Sequence, residues 1–349
     1  MIASDTQLAD LLPRMQGFTR VAVDTEADSL HCYFEKLCLI QLTFDGQDHL
    51  VDPLAPIDLQ PLCSALADRE IVLQGMDFDL RLLRRTYNLA VRQVFDTVIA
   101  ARMLGLKEFS LAALVQQYFD VTLAKGSQKA NWARRPLPPA MEEYAKNDTH
   151  FLLPLAAKME EQMQTLGRME WFRQSCQRAL ELTLISRERD PDEAWRIAGS
   201  GTLPPRTGAV LRAIWRWRDR EAQQADRPSF HILQNSAMID AARQFVEGET
   251  PAFRHMSERR RHGFLAAARG ALELPESAWP QRPARISRTR TPGFDKKVEE
   301  LRRRRDQHAK ELAIDPSFVA PRSTLERIAA DPSCSETLLV SWQRGLLGL

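Results

Sequence analysis

The stretch that most constrains this chain is Val21-Ala22-Val23-Asp24-Thr25-Glu26. Its apolar lead-in is continuous and β-branched, without the 3.6-residue spacing of a helix, so it reads as a buried strand. Side chains alternate along a strand, which points Asp24 and Glu26 to one face and Thr25 to the other. Two adjacent carboxylates repel each other, and burying them is costly without a counter-charge. Oxygen-rich clusters of this kind suit hard divalent cations such as Mg²⁺. A single D-x-E is also an ordinary strand end with two solvated acids, so its meaning depends on whether the rest of the chain brings further acids to it.

More carboxylates lie downstream. A second apolar strand, residues 71–73, ends at Gln74-Gly75 and runs into Met76-Asp77-Phe78-Asp79-Leu80-Arg81-Leu82-Leu83, whose apolar spacing is helical. Tyr144 and Asp148 stand four apart in a later helical stretch, so they share one face. In this order the residues resemble the DEDD-type 3′→5′ exonucleases, in their Tyr-containing branch. Those enzymes carry D-x-E after a strand, an Asp at a helix start, and then Y-x-x-x-D. The matching positions are Asp24 and Glu26, Asp79, and Tyr144 with Asp148; Asp77 is a nearby competitor for the second motif. The resemblance favours Asp79, because the family's acid directly precedes an apolar helix face and follows a small-residue turn by several positions.

Length and composition set the frame. A chain of 349 residues with 44% hydrophobic residues is expected to form two or three domains with full cores. The net charge of +2 says little about partners. Cys32, Cys38, Cys63, Cys176 and Cys334 are odd in number and form no C-x-x-C pair, which argues against a zinc site or a disulfide framework and for a reducing cytoplasm. The first residues lack the pattern of a signal peptide, and no apolar run is long enough to span a bilayer. A cytoplasmic protein without membrane contact is expected.

Along the chain, residues 1–18 read as an amphipathic helix through Leu8, Leu11, Leu12 and Met15. Strands are expected at 37–43 and 49–51, joined as a hairpin at Asp45-Gly46, and again up to Phe95. Helices are expected over 59–67, up to Tyr87, after an Asp96-Thr97 cap, and after Ser110. Strands in a hairpin block, then alternating with helices, imply an α/β fold with a mixed sheet flanked by helices. This agrees with the ribonuclease H-like architecture that the resemblance implies. From about residue 160 no strand is evident: residues 160–184 read as one long bridging helix, followed by helical units.

The resemblance extends over nearly the whole chain to ribonuclease D. The segment 211–221 is similar to the HRDC-like helical domain shared by RecQ-type helicases and ribonuclease D. The expected organisation is an exonuclease domain at 1–170, an HRDC-like nucleic-acid-binding domain at 171–275, a linker at 276–293 rich in Pro, Ser, Thr and Arg, and a second HRDC-like helical domain at 294–349.

What the resemblance implies is a metal-dependent 3′→5′ exoribonuclease releasing 5′-mononucleotides. It would use two divalent ions, Mg²⁺ with Mn²⁺ as an alternative, held by Asp24, Glu26, Asp79 and Asp148, with Tyr144 orienting the attacking water. Substrates would be RNA with a single-stranded 3′ end, including tRNA precursors, bound by a monomer. Family members carry K, Q, W and R-P-L before the third motif, and here Lys125, Gln128, Trp132 and Arg135-Pro136-Leu137 fill those places. Lys125, Lys129, Arg134 and Arg135 are candidates for phosphate contacts, and Trp132 is either a base-stacking platform or a packed loop anchor. Leu30, His31 and Tyr33 are candidates to line the site of the terminal nucleotide, against a reading as packing residues. Arg302 to Arg305, with Arg282, Arg285, Arg288 and Arg290, form a basic tract suited to RNA or a solvated helix face. A DNA exonuclease and a catalytically inert RNA-binding adaptor remain alternatives, because the acids alone do not select the sugar.

Overall fold

The run after Arg20 forms the strand β1 (Arg20–Ala27), with Val21, Ala22 and Val23 buried. The computed structural model describes residues 1–124, 126–185, 190–253, 256–281 and 293–349. These divide into two compact units. The described residues of Met1–Ala27, Leu37–Ser186 and Arg288–Leu349 make the first, and those of Asp28–Lys36 and Arg187–Ser287 the second.

In the first unit β2 (Leu37–Phe44) lies antiparallel to β1 and is buried at every position, as a strand covered on both faces must be. It turns into β3 (Gln47–Val51) through Asp45 and Gly46, at φ 53° and 63°. Left-handed backbone at both turn residues matches the twist of a two-residue hairpin. On the other side β4 (Glu70–Leu73) runs parallel to β1, and β5 (Gln93–Asp96) parallel to β4. The sheet order β3-β2-β1-β4-β5 makes the acid-bearing strand the central one. It is also where the antiparallel half meets the parallel half.

Helices cover this sheet. α1 (Asp5–Met15) is capped by Ser4 and buries Leu8, Leu11 and Met15. α2 (Gln60–Ala67), α3 (Asp77–Tyr87), α4 (Thr97–Met103), α5 (Leu111–Phe119), α6 (Pro139–His150), α7 (Leu152–Thr165) and α8 (Met169–Leu184) come next in the chain. The α/β fold, a mixed sheet flanked by helices, is as expected. The single helix expected over 160–184 is instead two, α7 and α8. Gly167, at φ 67°, takes the left-handed position that ends α7. The apolar stripe continues across the break, so periodicity did not reveal it. The next residue, Arg168, is buried and donates to the carbonyls of Met103 and Leu312, each at 2.7 Å.

The second unit is helical. α9 (Pro205–Ala225), α10 (Ser229–Ile232), α11 (Asn235–Val246) and α12 (Glu258–Leu272) enclose a core of Trp195, Leu211, Ile214, Trp217, Met238 and Phe264. Trp217 is buried and Trp215 only partly so, as their two-residue spacing requires on a helix. The segment Asp28–Lys36 groups with this unit. The Tyr33 hydroxyl donates to Asp219 at 2.8 Å, and the backbone amides of Tyr33 and Phe34 donate to Asp226.

The C-terminal helices α13 (Phe294–Glu311), α14 (Pro316–Val319), α15 (Arg322–Ala330), α16 (Ser335–Leu338) and α17 (Ser341–Leu347) differ from the expected separate domain. They have a small cluster of their own around Leu301, Leu325 and Ile328. Ala309, Ile314, Phe318, Val319 and Trp342, however, lie in the core of the first unit, and Trp342 stacks on Trp171 with ring centroids 5.2 Å apart. Of the two readings of the Arg302–Arg305 run, the ion pairs within the helix fit the solvated face. Arg302, Arg304 and Arg305 pair with Glu299, Glu300 and Asp306 of their own helix, while Arg282, Arg285, Arg288 and Arg290 lie outside the described residues. No helix among the described residues is long and apolar enough to cross a membrane.

Candidate active site

Ligand atoms of Asp24, Glu26 and Asp148 lie within 4.8 Å of one another. The first two come from one face of β1, and the third from α6, one turn beyond Tyr144. Asp79, in the first turn of α3, is buried beside them and raises the proton affinity of Asp24, Glu26 and Asp148 by repulsion. Asp77 points elsewhere, pairing with Arg81 at 2.9 Å.

Asp79 is held by a residue that the sequence reading left without a role. The Thr25 hydroxyl donates to its carboxylate, and the Thr25 backbone amide adds a second bond. No motif signals this contact, which joins residues 54 positions apart. A second unanticipated contributor is Asp96. It caps α4 as expected, through the amides of Val98 and Ile99 at 2.8 and 3.2 Å. It also accepts from Met76 at 2.7 Å and Gly75 at 3.3 Å, and so fixes the turn from which α3 starts. On α6, buried Thr149 accepts from the Thr43 hydroxyl at 2.7 Å, tying the helix that carries Tyr144 and Asp148 to β2.

The expected substrate contacts fare differently. Trp132 is 1% exposed, packed with Cys38, Leu39, Leu50 and Met141 and 6.1 Å from the Tyr144 ring, so it is a loop anchor and not a base platform in this conformation. Arg135 does not present its guanidinium to phosphates. It binds Asp52 through two nitrogens at 2.6 and 2.5 Å and donates to the carbonyls of Trp132 and Cys38. Gln128 hydrogen-bonds the Tyr144 phenol oxygen. Leu30 is exposed and His31 half-buried, both in the segment that groups with the second unit. Lys125 lies outside the described residues.

The electrostatics identify what the cluster lacks. Burial, then repulsion from Asp148 and Asp79, pushes Glu26 up to about 9. Burial, then Asp79, pushes Asp148 up to about 7. Asp79 rises to about 6 through burial, opposed by the Thr25 hydrogen bonds. Asp24, at the centre, is raised well above the usual carboxylate range by burial and by all three neighbours. Four buried acids that raise one another's proton affinity are stable in ionised form only with cations among them. An all-carboxylate donor set fits divalent metal ions with a preference for oxygen.

The comparisons agree with this geometry. Residues 1–164 match the family described as 3'-5' exonuclease, and residues 207–246 match the HRDC domain. The fold and the acid cluster therefore define a 3′→5′ exonuclease with an HRDC module. A ribonuclease D of Escherichia coli is 32% identical over 294 residues, covering 80% of this chain and 77% of its own. One from Haemophilus influenzae is 29% identical over 361 residues, covering 99% and 90%. The crystal structure of Escherichia coli RNase D, described as an exoribonuclease involved in structured RNA processing, superposes with a TM-score of 0.72 at 25% identity, covering 100% of this chain and 98% of that one. The chain belongs to the ribonuclease D family, and it is a hydrolase of the 3′→5′ exoribonuclease class.

Proposed function

We propose that this chain removes 5′-mononucleotides one at a time from RNA with a single-stranded 3′ end, tRNA precursors among its substrates, using two divalent metal ions. The ions would be Mg²⁺, with Mn²⁺ as an alternative, held by Asp24, Glu26, Asp79 and Asp148, and the enzyme would act as a monomer. The observation that carries this reading is the convergence of Asp24, Glu26 and Asp148 within 4.8 Å, with Asp79 buried beside them. By its likeness to the family, Asp24 would serve both ions, Glu26 and Asp148 the ion that activates the water, and Asp79 the ion beside the leaving group.

When bound, the ions supply charge relief for the phosphoryl group and an activated water. The protein's own part is to hold the acids apart at fixed positions and to orient the nucleophile. Burial, then the charges of Asp148 and Glu26, pushes the Tyr144 phenol above its ordinary value, which is already near 10. It therefore stays protonated at neutral pH and donates a hydrogen bond. Its role is to aim the water, not to take its proton. Asp148, one turn along the same helix face, shares that direction.

The test is digestion of RNA labelled at its 5′ end, with Mg²⁺ or with EDTA, with the products sized. A ladder shortening from the 3′ end and free 5′-mononucleotides, both lost in EDTA, is expected. Internal cleavage, or digestion that survives EDTA, would refute the proposal. A pre-tRNA with a 3′ extension, compared with an unstructured RNA of equal length, tests the substrate class.

A further inference from the structure

Beside the acid cluster, the described residues of the first unit enclose a cavity of about 370 Å³. Leu111, Ala112 and Leu123 form an apolar part of its wall, and Gln128, Tyr144, Asn147 and Asp148 are among its polar lining. The volume lies at the lower end of small-molecule sites. Residues 144, 147 and 148 are spaced i, i+3 and i+4, so a single face of α6 presents all three. Tyr144 and Asp148 are accounted for by the proposed chemistry. Asn147 is not: it is half-buried against the cavity, and among the described residues nothing engages its amide.

The geometry points to Asn147 as the group that selects the sugar of the terminal nucleotide, its amide hydrogen-bonding the ribose hydroxyls while the apolar wall takes the base. This rests on the exonuclease reading above and adds to it the basis for choosing RNA. An enzyme that shortens RNA one residue at a time must accept every base, and apolar side chains such as Leu111, Ala112 and Leu123 are indifferent to base edges. The part of the nucleotide that never varies, and that lies next to the scissile phosphate, is the ribose. Asn147 is adjacent in sequence to Asp148 and within one turn of Tyr144, which puts it where that sugar must sit. A carboxamide both donates and accepts, and so does the 2′-hydroxyl that distinguishes RNA from DNA.

The experiment uses the full-length protein and two RNA oligonucleotides that differ only at the 3′-terminal residue, one ribo and one 2′-deoxy. Single-turnover removal of that residue is measured for wild type and for Asn147→Ala. Wild type should prefer the ribo terminus, and the alanine variant should lower that preference by about fivefold to tenfold, the worth of one hydrogen bond. A preference unchanged in the variant would overturn the inference, as would a loss that tracks the terminal base and not the sugar. A wild type that digests RNA but ignores the terminal sugar would overturn it while leaving the exonuclease reading intact. A wild type that digests neither oligonucleotide would overturn that reading instead. Alanine favours helix more than asparagine does, so α6 should persist. Should the melting temperature of Asn147→Ala fall sharply, Asn147→Ser carries the same comparison, with a hydroxyl expected to keep part of the preference.

Discussion

Replacing Gly105 with alanine tests whether the C-terminal helices are a structural part of the nuclease unit. Gly105 has φ +78°, and a Cβ there would stand 2.0 Å from the carbonyl oxygen of Ala313 and 3.1 Å from its carbon. Neither backbone is loose. Arg168 bonds Met103 on one side and Leu312 on the other, each at 2.7 Å, and Ile314, Phe318 and Trp342 are buried just beyond. The left-handed backbone alone costs alanine about 1–2 kcal/mol. Overpacking against backbone adds about 1–3 kcal/mol. A sum of about 3 kcal/mol lowers the melting temperature of a unit this size by about 6–12 °C. Gly46→Ala is the control, because φ there is +63° and nothing lies within 4 Å of its Cβ. Calorimetric melts of the full chain should show Gly105→Ala falling well below Gly46→Ala. Equal shifts for the two variants would refute the packing described for residues 309–342.

Three further outcomes are expected. Glu26, Asp148 and Asp79 bind protons in the folded metal-free chain at about 9, 7 and 6, above the ~4 of unfolded carboxylates, so the stability they contribute is full below about pH 4 and lost as pH rises toward 9. Metal-free wild type should therefore lose more melting temperature between pH 5 and 9 than Glu26→Gln, and Mg²⁺ should stabilise wild type more at pH 8 than at pH 5.5; parallel curves for the two proteins would contradict this. Asp96→Ala leaves the amides of Gly75, Met76, Val98 and Ile99 without their acceptor, so it should cost about 2 kcal/mol or more in denaturant melts and slow single-turnover cleavage by displacing α3; a fully active variant would show that Asp79 is positioned otherwise. Trp132→Ala should lower stability by about 3 kcal/mol, because a buried indole is lost; an unchanged melting temperature with weakened RNA binding would instead restore the base-stacking role.

How much of this was legible in the sequence depended on the range of the interaction. The strands were readable because their apolar runs are short, continuous and β-branched, and the hairpin because Asp45-Gly46 suits left-handed backbone. Asp79 was separable from Asp77 by its likeness to the family's second motif, and α3 turns Asp79 inward and leaves Asp77 to Arg81. Contacts between distant residues were not readable. Nothing in Thr25 announces Asp79, and nothing in the R-P-L segment says that Arg135 binds Asp52. An apolar stripe reports that a helix will be covered but not by what, so the C-terminal helices looked like a separate domain. An uncharged polar residue between two motif residues, such as Asn147, carries no signal in the sequence; its place beside a cavity is visible only in the fold.

Four carboxylates from three separate stretches of the chain are held to act together on the RNA terminus. That joint action is tested most directly by single-turnover digestion of end-labelled RNA in Mg²⁺ by Asp148→Asn, with a melting curve recorded on the same preparation. A folded protein whose cleavage rate has dropped on the order of 10³-fold or more is expected, since a residue acting within a metal-holding set cannot be replaced by its neighbours. A folded variant cleaving at close to the wild-type rate would contradict it.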